Sequence, residues 1–275
     1  MSVALGPALL FCPADRADRF AKAAERADAV VLDLEDAVAP DAKDAARRAV
    51  VESALDPART LVRVNDARSG QLAADLDAVR RSSYRAVMLA KTEAAADVDA
   101  LGDLEVVALC ETAAGVVRAA EIAAHPRVTA LMWGAEDLVA SIGGTSSRTQ
   151  DGAYRAVAMH ARSAILLAAG AFGKAAVDAV HLDIGDLDGC RAEAEDAAAS
   201  GFAAKAAIHP SHVAAIRAAF APSDADAAWA RRLIAESSAH GGVFRFEGRM
   251  VDEPVLRHAR AILARTARGA TSPAP

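Results

Sequence analysis

The stretch Ala29-Val-Val-Leu-Asp-Leu-Glu-Asp36 combines an unbroken apolar run with an abrupt acidic end. Four apolar residues in succession, two of them valine, are typical of a parallel β-strand that is covered on both faces. The acidic residues mark the place where the strand passes into a loop. This stretch therefore predicts a buried parallel strand with polar groups at its carboxyl end.

The same pattern recurs along the chain. Eight short apolar runs alternate with longer alanine- and charge-rich stretches of helical period. Repeated strand–helix units with right-handed crossovers form either an open doubly wound sheet or a closed barrel. Eight units in 275 residues favour an α/β fold of the (β/α)₈ TIM-barrel type, whose typical length is about 250 residues. The predicted strands are Ala8–Cys12, Ala29–Leu34, Leu61–Val64, Ala86–Ala90, Val106–Cys110, Val128–Trp133, Ala179–Ile184 and Ala203–Ile208.

Helices are predicted between these strands. The helix at Asp41–Leu55 has Pro40 just before its start and Pro57 just after its end, and both positions are favourable for proline. The other helices of the barrel are predicted at Asp15–Ala27, Ser69–Arg80, Thr112–Ala124, Asp151–Ala169, Leu187–Ala199 and Ser211–Phe220.

The segment after the eighth unit has a different character. It contains one more predicted helix, Asp224–Ala239, a connector at Gly241–Gly242, a mixed run at Phe244–Asp252 and a last helix that begins near Pro254. No low-complexity linker divides the chain. We therefore predict a catalytic barrel at residues 1–220 and a helical C-terminal extension at residues 221–275.

Composition excludes several classes of protein. The formal net charge of −6 argues against nucleic acid or an anionic membrane as the main partner. The three cysteines, Cys12, Cys110 and Cys190, are far apart, so we expect buried thiols rather than a disulfide framework. The N-terminus resembles no signal peptide, and no run reaches the roughly 20 apolar residues of a membrane span. A cytoplasmic location is the resulting expectation.

Acidic residues are concentrated where the predicted strands end, which in a TIM barrel is the face that carries function. A cluster of uncompensated carboxylates is unfavourable, and a divalent cation is the simplest compensation. Oxygen ligands in small number suit Mg²⁺, and Glu111 and Asp137 are the candidate ligands because each follows an apolar run. A helix N-cap or first-turn charge is the alternative for both residues.

Several motifs together resemble the citrate lyase beta subunit-like family, which is grouped with malyl-CoA and citramalyl-CoA lyases among Mg²⁺-dependent barrel aldolases. The motifs occur in order over nearly the whole chain, so the resemblance is specific. One departure is Ala90, where many relatives have proline. The motifs are Leu10-Phe-Cys-Pro-Ala-Asp-Arg16, Val31-Leu-Asp-Leu-Glu-Asp-Ala-Val38, Val62-Arg-Val-Asn65, Val87-Met-Leu-Ala-Lys91, Cys110-Glu-Thr-Ala-Ala-Gly115, Trp133-Gly-Ala-Glu-Asp-Leu138, His181-Leu-Asp-Ile184, Ala207-Ile-His-Pro210 and Gly248-Arg-Met-Val-Asp252.

The resemblance implies roles for individual residues. Glu111 and Asp137 match the two metal-ligand positions, and Arg63 matches a substrate-binding arginine. Asp252 matches an aspartate that reaches a neighbouring subunit's site and takes part in proton transfer. An ion pair with Asp33, Glu35 or Asp36 is the alternative role for Arg63, and an exposed charge before the last helix is the alternative for Asp252.

Other residues have supporting roles in this hypothesis. Glu35 and Asp36 are expected to orient Arg63 or metal-bound water. Arg16 and Lys91 are candidates for binding phosphate or carboxylate groups, and Gly134 and Ala135 for presenting backbone N–H groups to the oxo acid. The loop Gly143–Arg148 is a candidate cap over the site, whereas His181 and His209 are expected to be structural.

The expected function is a Mg²⁺-dependent lyase or synthase that joins or separates a 2-oxo acid and acetyl-CoA through a β-hydroxyacyl thioester of the citryl, malyl or citramalyl type. A subunit of a citrate lyase assembly with a carrier-protein thioester is the alternative from a different class. A pyruvate-type aldolase without a thioester, a malate synthase and an acyl-CoA thioesterase also remain open. A tail that crosses an interface favours a closed homo-oligomer such as a trimer.

Overall fold

Eight parallel strands form a closed barrel in the order β1 to β8. The structure is a computed structural model that describes residues 4–269, with side chains for residues 4–266. Each strand pairs in parallel with the next, and β8 closes the barrel on β1 through the register Leu9↔Ala206. This confirms the predicted TIM barrel. The strands are β1 Ala8–Pro13, β2 Ala29–Asp33, β3 Thr60–Val64, β4 Ala86–Leu89, β5 Glu105–Cys110, β6 Val128–Trp133, β7 Ala175–Asp178 and β8 Ala204–Ala207.

Both faces of the barrel strands are buried. Alternate residues such as Leu9, Val31 and Leu109 form one apolar cluster in the barrel interior. The residues between them point to the helical layer, because successive strand side chains face opposite sides of a sheet. Leu10 and Leu32 are buried in this second position. The long apolar runs in the sequence arise from this double burial.

Helices follow the strands and cover the barrel. The helix α9 shows the local rules clearly: the Asp186 carboxylate accepts the Gly189 N–H at its N-terminus, and Gly201 ends it in the left-handed conformation with φ 109°. The helices of the barrel are α1 Phe20–Arg26, α2 Lys43–Glu52, α3 Leu72–Arg81, α4 Ala95–Asp99, α5 Ala113–Val117, α6 Ala119–Ala124, α7 Ala135–Ser141, α8 Ala156–Ala171, α9 Leu187–Ser200 and α10 Ser211–Phe220.

Four predicted elements differ clearly from the observed ones. The helix predicted at Asp15–Ala27 is α-helical only over Phe20–Arg26. The seventh strand is Ala175–Asp178 and not Ala179–Ile184; its residues 175–177 pair with Ala130–Met132 of β6. The predicted helix Thr112–Ala124 is two short helices that meet at Arg118. The predicted helix Asp151–Ala169 begins only at Ala156, because the residues before it form a loop.

The chain divides into two compact units, with the boundary between Ile216 and Arg217. The second unit contains α11 Asp224–Ser237, the antiparallel strands β9 Phe244–Phe246 and β10 Arg249–Val251, and α12 Glu253–Gly269. Residues 247 and 248 have φ values of 47° and 81°, the positive values that a tight two-residue hairpin turn requires. The apolar faces of α11 and α12 share one core that includes Leu233 and Ile262.

Two expectations from composition can be compared with the structure. The three cysteines are free and buried, as predicted. Among the described residues no helix is both long and apolar enough to cross a lipid bilayer.

Candidate functional site

A cavity of about 280 Å³ opens among the residues that follow or end the barrel strands. Its walls are chemically divided. Charged side chains come from the β2–β6 side, and apolar side chains come from the interior and from β7 and β8. The lining residues are Phe11, Pro13, Asp33, Ala37, Arg63, Leu109, Glu111, Met132, Trp133, Gly134, Ala135, Glu136, Asp137, Tyr154, Ala179, Val180, Leu182 and Ile208.

Arg63 is held in the cavity wall by carboxylates of the neighbouring strand and loop. Its Nε and Nη2 donate to the two oxygens of Asp33 at 2.7 and 2.6 Å, and its Nη1 lies 3.0 Å from Glu35 Oε2. The guanidinium also stacks on the Phe11 ring, with Cζ 4.9 Å from the centroid. Arg63 therefore forms the ion pairs that its alternative role predicted, with Asp33 and Glu35 as partners but not Asp36.

Lys91 joins the acidic loop after β2 to the site. Its ammonium contacts Glu35 Oε1, donates to Asp36 Oδ2 at 3.1 Å and lies 3.4 Å from Asp137 Oδ1. Burial raises the pKa of Glu35, although Arg63 and Lys91 oppose this effect. The site thus places three carboxylates around one ammonium group.

Glu111 is a deeply buried carboxylate of the cavity, with 3% of its surface exposed. Burial, together with the repulsion of Asp137, raises the pKa of Glu111 to about 8 against the attraction of Arg63 and Lys91. Its Oε1 accepts the backbone N–H of Lys91 at 3.2 Å. A carboxylate that the surrounding protein compensates so poorly is a suitable ligand for a cation.

Gly134 and Asp137 are positioned by the junction of β6 and α7. A Cβ atom on Gly134 would lie only 2.6 Å from Glu111 Oε2, so the absence of a side chain allows the backbone to approach this carboxylate. Ala135 begins α7, and Asp137 lies in its first turn. Asp137 is therefore a first-turn residue of a helix, as the alternative predicted. It also lines the cavity, so it can have a role there. Thr112, not Glu111, caps the next helix after β5.

Not every residue of the sequence hypothesis meets at the cavity. Arg16 does not line it; its side chain is 44% exposed and pairs with Asp18 at 2.8 Å. Asp252 belongs to the second unit, where its carboxylate accepts the Val255 N–H at 3.3 Å at the start of α12. The structure brings together Glu35, Asp36, Arg63, Lys91, Glu111, Gly134, Ala135 and Asp137, by cavity lining or by direct contact.

The loop between α7 and α8 contributes a residue that the sequence hypothesis missed. Tyr154 lines the cavity, with its ring 5.2 Å from that of Trp133 and 3.8 Å from Arg148 Cζ. The hydroxyl of Ser147, in the predicted cap, donates to Glu136. Tyr154 carries no sequence signal of this position, because it lies in an irregular loop with no periodic pattern around it.

A second, mostly buried ionic cluster contains residues of β7 and β8. Asp178 accepts from Trp133 Nε1 at 2.8 Å and from Arg162 Nε at 2.9 Å, and Lys205 Nζ lies 3.1 Å from Glu193 Oε2. Burial alone would raise the pKa of Asp178, but Lys205 and Arg162 hold it below its usual range. We call Arg148, Arg162, Asp178, Glu193, Asp196 and Lys205 the wall cluster, and Asp33, Glu35, Asp36, Arg63, Lys91, Glu111 and Asp137 the mouth cluster.

The two histidines of the sequence hypothesis lie near the wall cluster rather than the mouth cluster. His181 is buried, and its Nδ1 lies 3.1 Å from Glu193 Oε1. Because β7 ends at Asp178, His181 lies in the loop after the strand. His209 is half-buried and contacts Ser211 Oγ at 2.7 Å. Neither residue lines the cavity.

Comparisons with known proteins identify relatives of this chain. A citrate lyase subunit beta-like protein of Mycobacterium tuberculosis is 56% identical over 262 residues, which cover 95% of this chain and 96% of that protein. A (3S)-malyl-CoA thioesterase of Cereibacter sphaeroides is 39% identical over 255 residues, with 87% and 86% coverage. The human mitochondrial citramalyl-CoA lyase is 33% identical over 267 residues, with 85% and 77% coverage.

A solved structure is similar over almost the whole chain. It is the protein CitE from Mycobacterium tuberculosis in complex with magnesium, acetoacetate and coenzyme A; the TM-score is 0.91 at 55% identity, and the match covers 96% of this chain and 99% of that chain. Residues 8–210 match the family described as HpcH/HpaI aldolase/citrate lyase. The chain belongs to the HpcH/HpaI aldolase/citrate lyase family, within its citrate lyase beta-like members.

Proposed function

We propose that this protein is a Mg²⁺-dependent carbon–carbon lyase or synthase that acts on a β-hydroxyacyl thioester, with a 2-oxo acid and acetyl-CoA as the smaller partners. The observation that carries the proposal is the pair Glu111 and Asp137, two carboxylates in one cavity that is also lined by Arg63. The raised pKa of Glu111, which burial and Asp137 cause, adds the electrostatic argument.

The donor set fits Mg²⁺. Glu111 and Asp137 offer carboxylate oxygens, the ligands that Mg²⁺ prefers, and this ion normally retains several waters and needs few protein ligands. Among the described residues, no three His, Cys, Asp or Glu side chains lie so that they could hold one metal ion together. This is in keeping with an ion that would take further oxygens from its substrate. When bound there, Mg²⁺ would supply Lewis-acid polarisation of the oxo-acid carbonyl.

The protein groups would orient and stabilise the reacting molecules. Asp33 and Glu35 hold the Arg63 guanidinium from one side, so that its remaining N–H groups would bind the carboxylate or the enolate oxygen. Asp36 would hold the Lys91 ammonium in place within the mouth cluster by accepting its hydrogen bond. Backbone N–H groups of Gly134 and Ala135 would bind the oxo acid where α7 begins, the favourable end of a helix for an anion.

The apolar part of the cavity would accommodate the carbon skeleton and reduce contact with water. Phe11, Leu109, Met132 and Val180 line this part. Exclusion of water strengthens the interactions of Arg63 with a developing negative charge and protects an enolate from protonation by solvent. The lyase and synthase reactions both need this protection.

We propose that the C-terminal extension completes the site of a neighbouring subunit in a closed oligomer such as a trimer, with Asp252 in proton transfer at the acetyl carbon. Charge supports association between copies: residues 217–275 contain nine Lys and Arg and six Asp and Glu, a net of +3, whereas residues 1–216 contain 22 and 31, a net of −9. A basic extension would be attracted to the acidic barrel of another copy.

The direct test is the reaction itself. Purified protein with Mg²⁺, acetyl-CoA and glyoxylate, pyruvate or oxaloacetate should form a hydroxyacyl-CoA that mass spectrometry identifies. Glu111→Ala should lose both turnover and Mg²⁺ binding. Glu136→Ala is the matched control, because Glu136 lines the same cavity but pairs with Ser147. Absence of turnover in both directions, with unchanged Mg²⁺ binding in Glu111→Ala, would contradict the proposal.

Hydrolysis of the thioester is a second candidate, since the relative from Cereibacter sphaeroides is named a (3S)-malyl-CoA thioesterase. The same assay separates the two activities: a lyase releases the oxo acid and acetyl-CoA from malyl-CoA, whereas a thioesterase releases malate and free CoA. Activity only with a carrier-protein thioester would indicate a citrate lyase subunit. Activity without any thioester would indicate a pyruvate-type aldolase.

A further inference from the structure

Lys91 contacts both proposed metal ligands through different atoms. Its backbone N–H donates to Glu111 Oε1 at 3.2 Å, and its ammonium lies 3.4 Å from Asp137 Oδ1. Within the described part of the chain, no other basic side chain forms an ion pair with Asp137, which has a side chain that is 37% exposed. The positive charge paired with this second proposed ligand therefore belongs to Lys91.

The position of Lys91 is imposed by its surroundings. Its φ of 48° lies in the left-handed region, which a lysine rarely adopts. Arg68 Nη2 donates to the Lys91 carbonyl at 2.8 Å, and the N–H is bound to Glu111. Such a conformation persists only where neighbouring contacts determine it, and it occurs often at functional sites. The backbone thus holds the ammonium among Glu35, Asp36 and Asp137.

Charge count shows why this ammonium matters for a metal ion. The mouth cluster contains five carboxylates and two basic groups, and Arg63 is already engaged by Asp33 and Glu35. The Lys91 ammonium partly neutralises Asp137. A divalent cation at Glu111 and Asp137 would share Asp137 with this ammonium, and two cations within a few ångströms of one carboxylate repel each other.

We propose that Lys91 is a resident counter-ion that weakens the binding of Mg²⁺ alone and thereby couples the binding of Mg²⁺ to that of the 2-oxo acid. The inference rests on the proposed function. The carboxylate of the oxo acid brings negative charge that offsets both cations, so each ligand strengthens the binding of the other by the same factor. The site therefore holds its metal firmly only when the oxo acid is present.

The test is a calorimetric titration of the full-length protein with Mg²⁺, with and without pyruvate. The wild-type protein should bind Mg²⁺ about tenfold more tightly when pyruvate is present, a typical size for coupling between two ligands. Lys91→Met should bind Mg²⁺ alone about tenfold more tightly than the wild-type protein. Pyruvate should then add less than it adds to the wild-type protein, because only the coupling due to direct chelation remains. Lys91→Arg retains the charge and should preserve the coupling.

Lys43→Met is the matched control. The Lys43 ammonium lies in the same region, where it donates to the Leu34 carbonyl at 2.7 Å and to Asn65 Oδ1 at 3.1 Å, but it pairs with no carboxylate of the mouth cluster. This variant should titrate like the wild-type protein, and a thermal melt of each variant verifies folding. Unchanged or weaker Mg²⁺ binding in Lys91→Met would overturn the inference and leave the proposed function intact. A wild-type protein that binds no Mg²⁺ in either condition would instead contradict the proposed function as well.

Discussion

The wall cluster and the mouth cluster are built from the same residue types in one barrel, but their charge balance differs. The wall cluster sets Asp178, Glu193 and Asp196 against Arg148, Arg162 and Lys205. Its buried acids have lowered pKa values, because nearby basic groups outweigh burial for both Asp178 and Glu193. A cluster in which each acid is paired with a basic group needs no ligand to balance its charge.

The mouth cluster is left with an excess of acid. Five carboxylates share Arg63 and Lys91, and burial raises the pKa of Glu111 to about 8. The difference between the clusters teaches that burial of charge alone does not indicate function. What indicates a functional site is a buried carboxylate whose negative charge the nearby basic groups do not balance, since a ligand is then needed to balance it. The following predictions test this contrast, from the largest expected effect to the smallest.

Asp178→Asn should cause the largest loss of stability. The substitution leaves Arg162 and Lys205 buried without their shared carboxylate, and breaking a buried ion pair typically costs about 3–5 kcal/mol. Urea denaturation would measure the free energy of unfolding, with Asp188→Asn as the control because Asp188 is 95% exposed. A loss no greater than that of the control would remove the distinction between the two clusters.

Glu111→Gln should stabilise the metal-free protein at pH 8. The pKa of Glu111 in the folded protein, about 8, exceeds its ordinary value of 4.5, so the folded protein retains a proton that the unfolded chain releases. Stability of the metal-free wild-type protein should therefore fall as the pH rises from about 4.5 to 8, by on the order of 4 kcal/mol.

The variant has no proton to lose at this position, so its own stability should change less over the same pH range. Thermal melts in the presence of a chelator at pH 5 and pH 8 would compare the two proteins. Equal pH dependence in both would show that Glu111 is already compensated in the folded state.

Asp33→Asn should destabilise the protein less than Asp178→Asn, although Asp33 is equally buried. Arg63 would lose charge-assisted hydrogen bonds worth about 1.5–3 kcal/mol but would keep Glu35 at 3.0 Å. Removal of one acid from an acidic cluster also relieves repulsion. Urea denaturation would again measure the free energy of unfolding. A loss equal to that of Asp178→Asn would show that the excess of carboxylates in the mouth cluster does not reduce the destabilisation.

Arg16→Ala should have the smallest effect on the fold. Arg16 and Asp18 form an exposed pair outside both clusters, and such pairs contribute little to stability. The melting temperature should remain unchanged. If Arg16 binds the phosphates of an acyl-CoA, the KM for the thioester should rise severalfold while kcat is retained, and an unchanged KM would remove Arg16 from the site hypothesis.

Much of the fold was predictable from local pattern. Double burial makes barrel strands apolar on both faces, so seven of the eight runs coincide with observed strands within one or two residues. The exception shows the limit. Residues 175–178 and 179–184 are both apolar enough for a strand, and only the pairing of Ala175–Val177 with β6 decides between them. Leu182 and Ile184 are instead about half exposed, at 47% each.

The candidate site was predictable in part for the same reason. Carboxyl ends of barrel strands meet at one face, so the positions of Arg63, Glu111 and Asp137 follow from the strand pattern. Tyr154 and the contacts of Lys91 could not be foreseen, because a loop brings the former to the cavity and a contact across 56 residues joins the latter to Glu35.

The sequence by itself determined the number of strand–helix units and the acidic character of the barrel mouth, because these depend on periodicity and on residue types at strand ends. The family was indicated separately, by the resemblance of its ordered motifs. Only the tertiary structure decided which charges compensate one another. Asp178 and Glu111 occupy similar places in the barrel, since each is an acid at or just after the end of an observed strand. Their surroundings distinguish them: Arg162 and Lys205 neutralise Asp178, whereas Glu111 is buried beside Asp137. Charge balance arises from contacts between distant segments, and local sequence does not encode it.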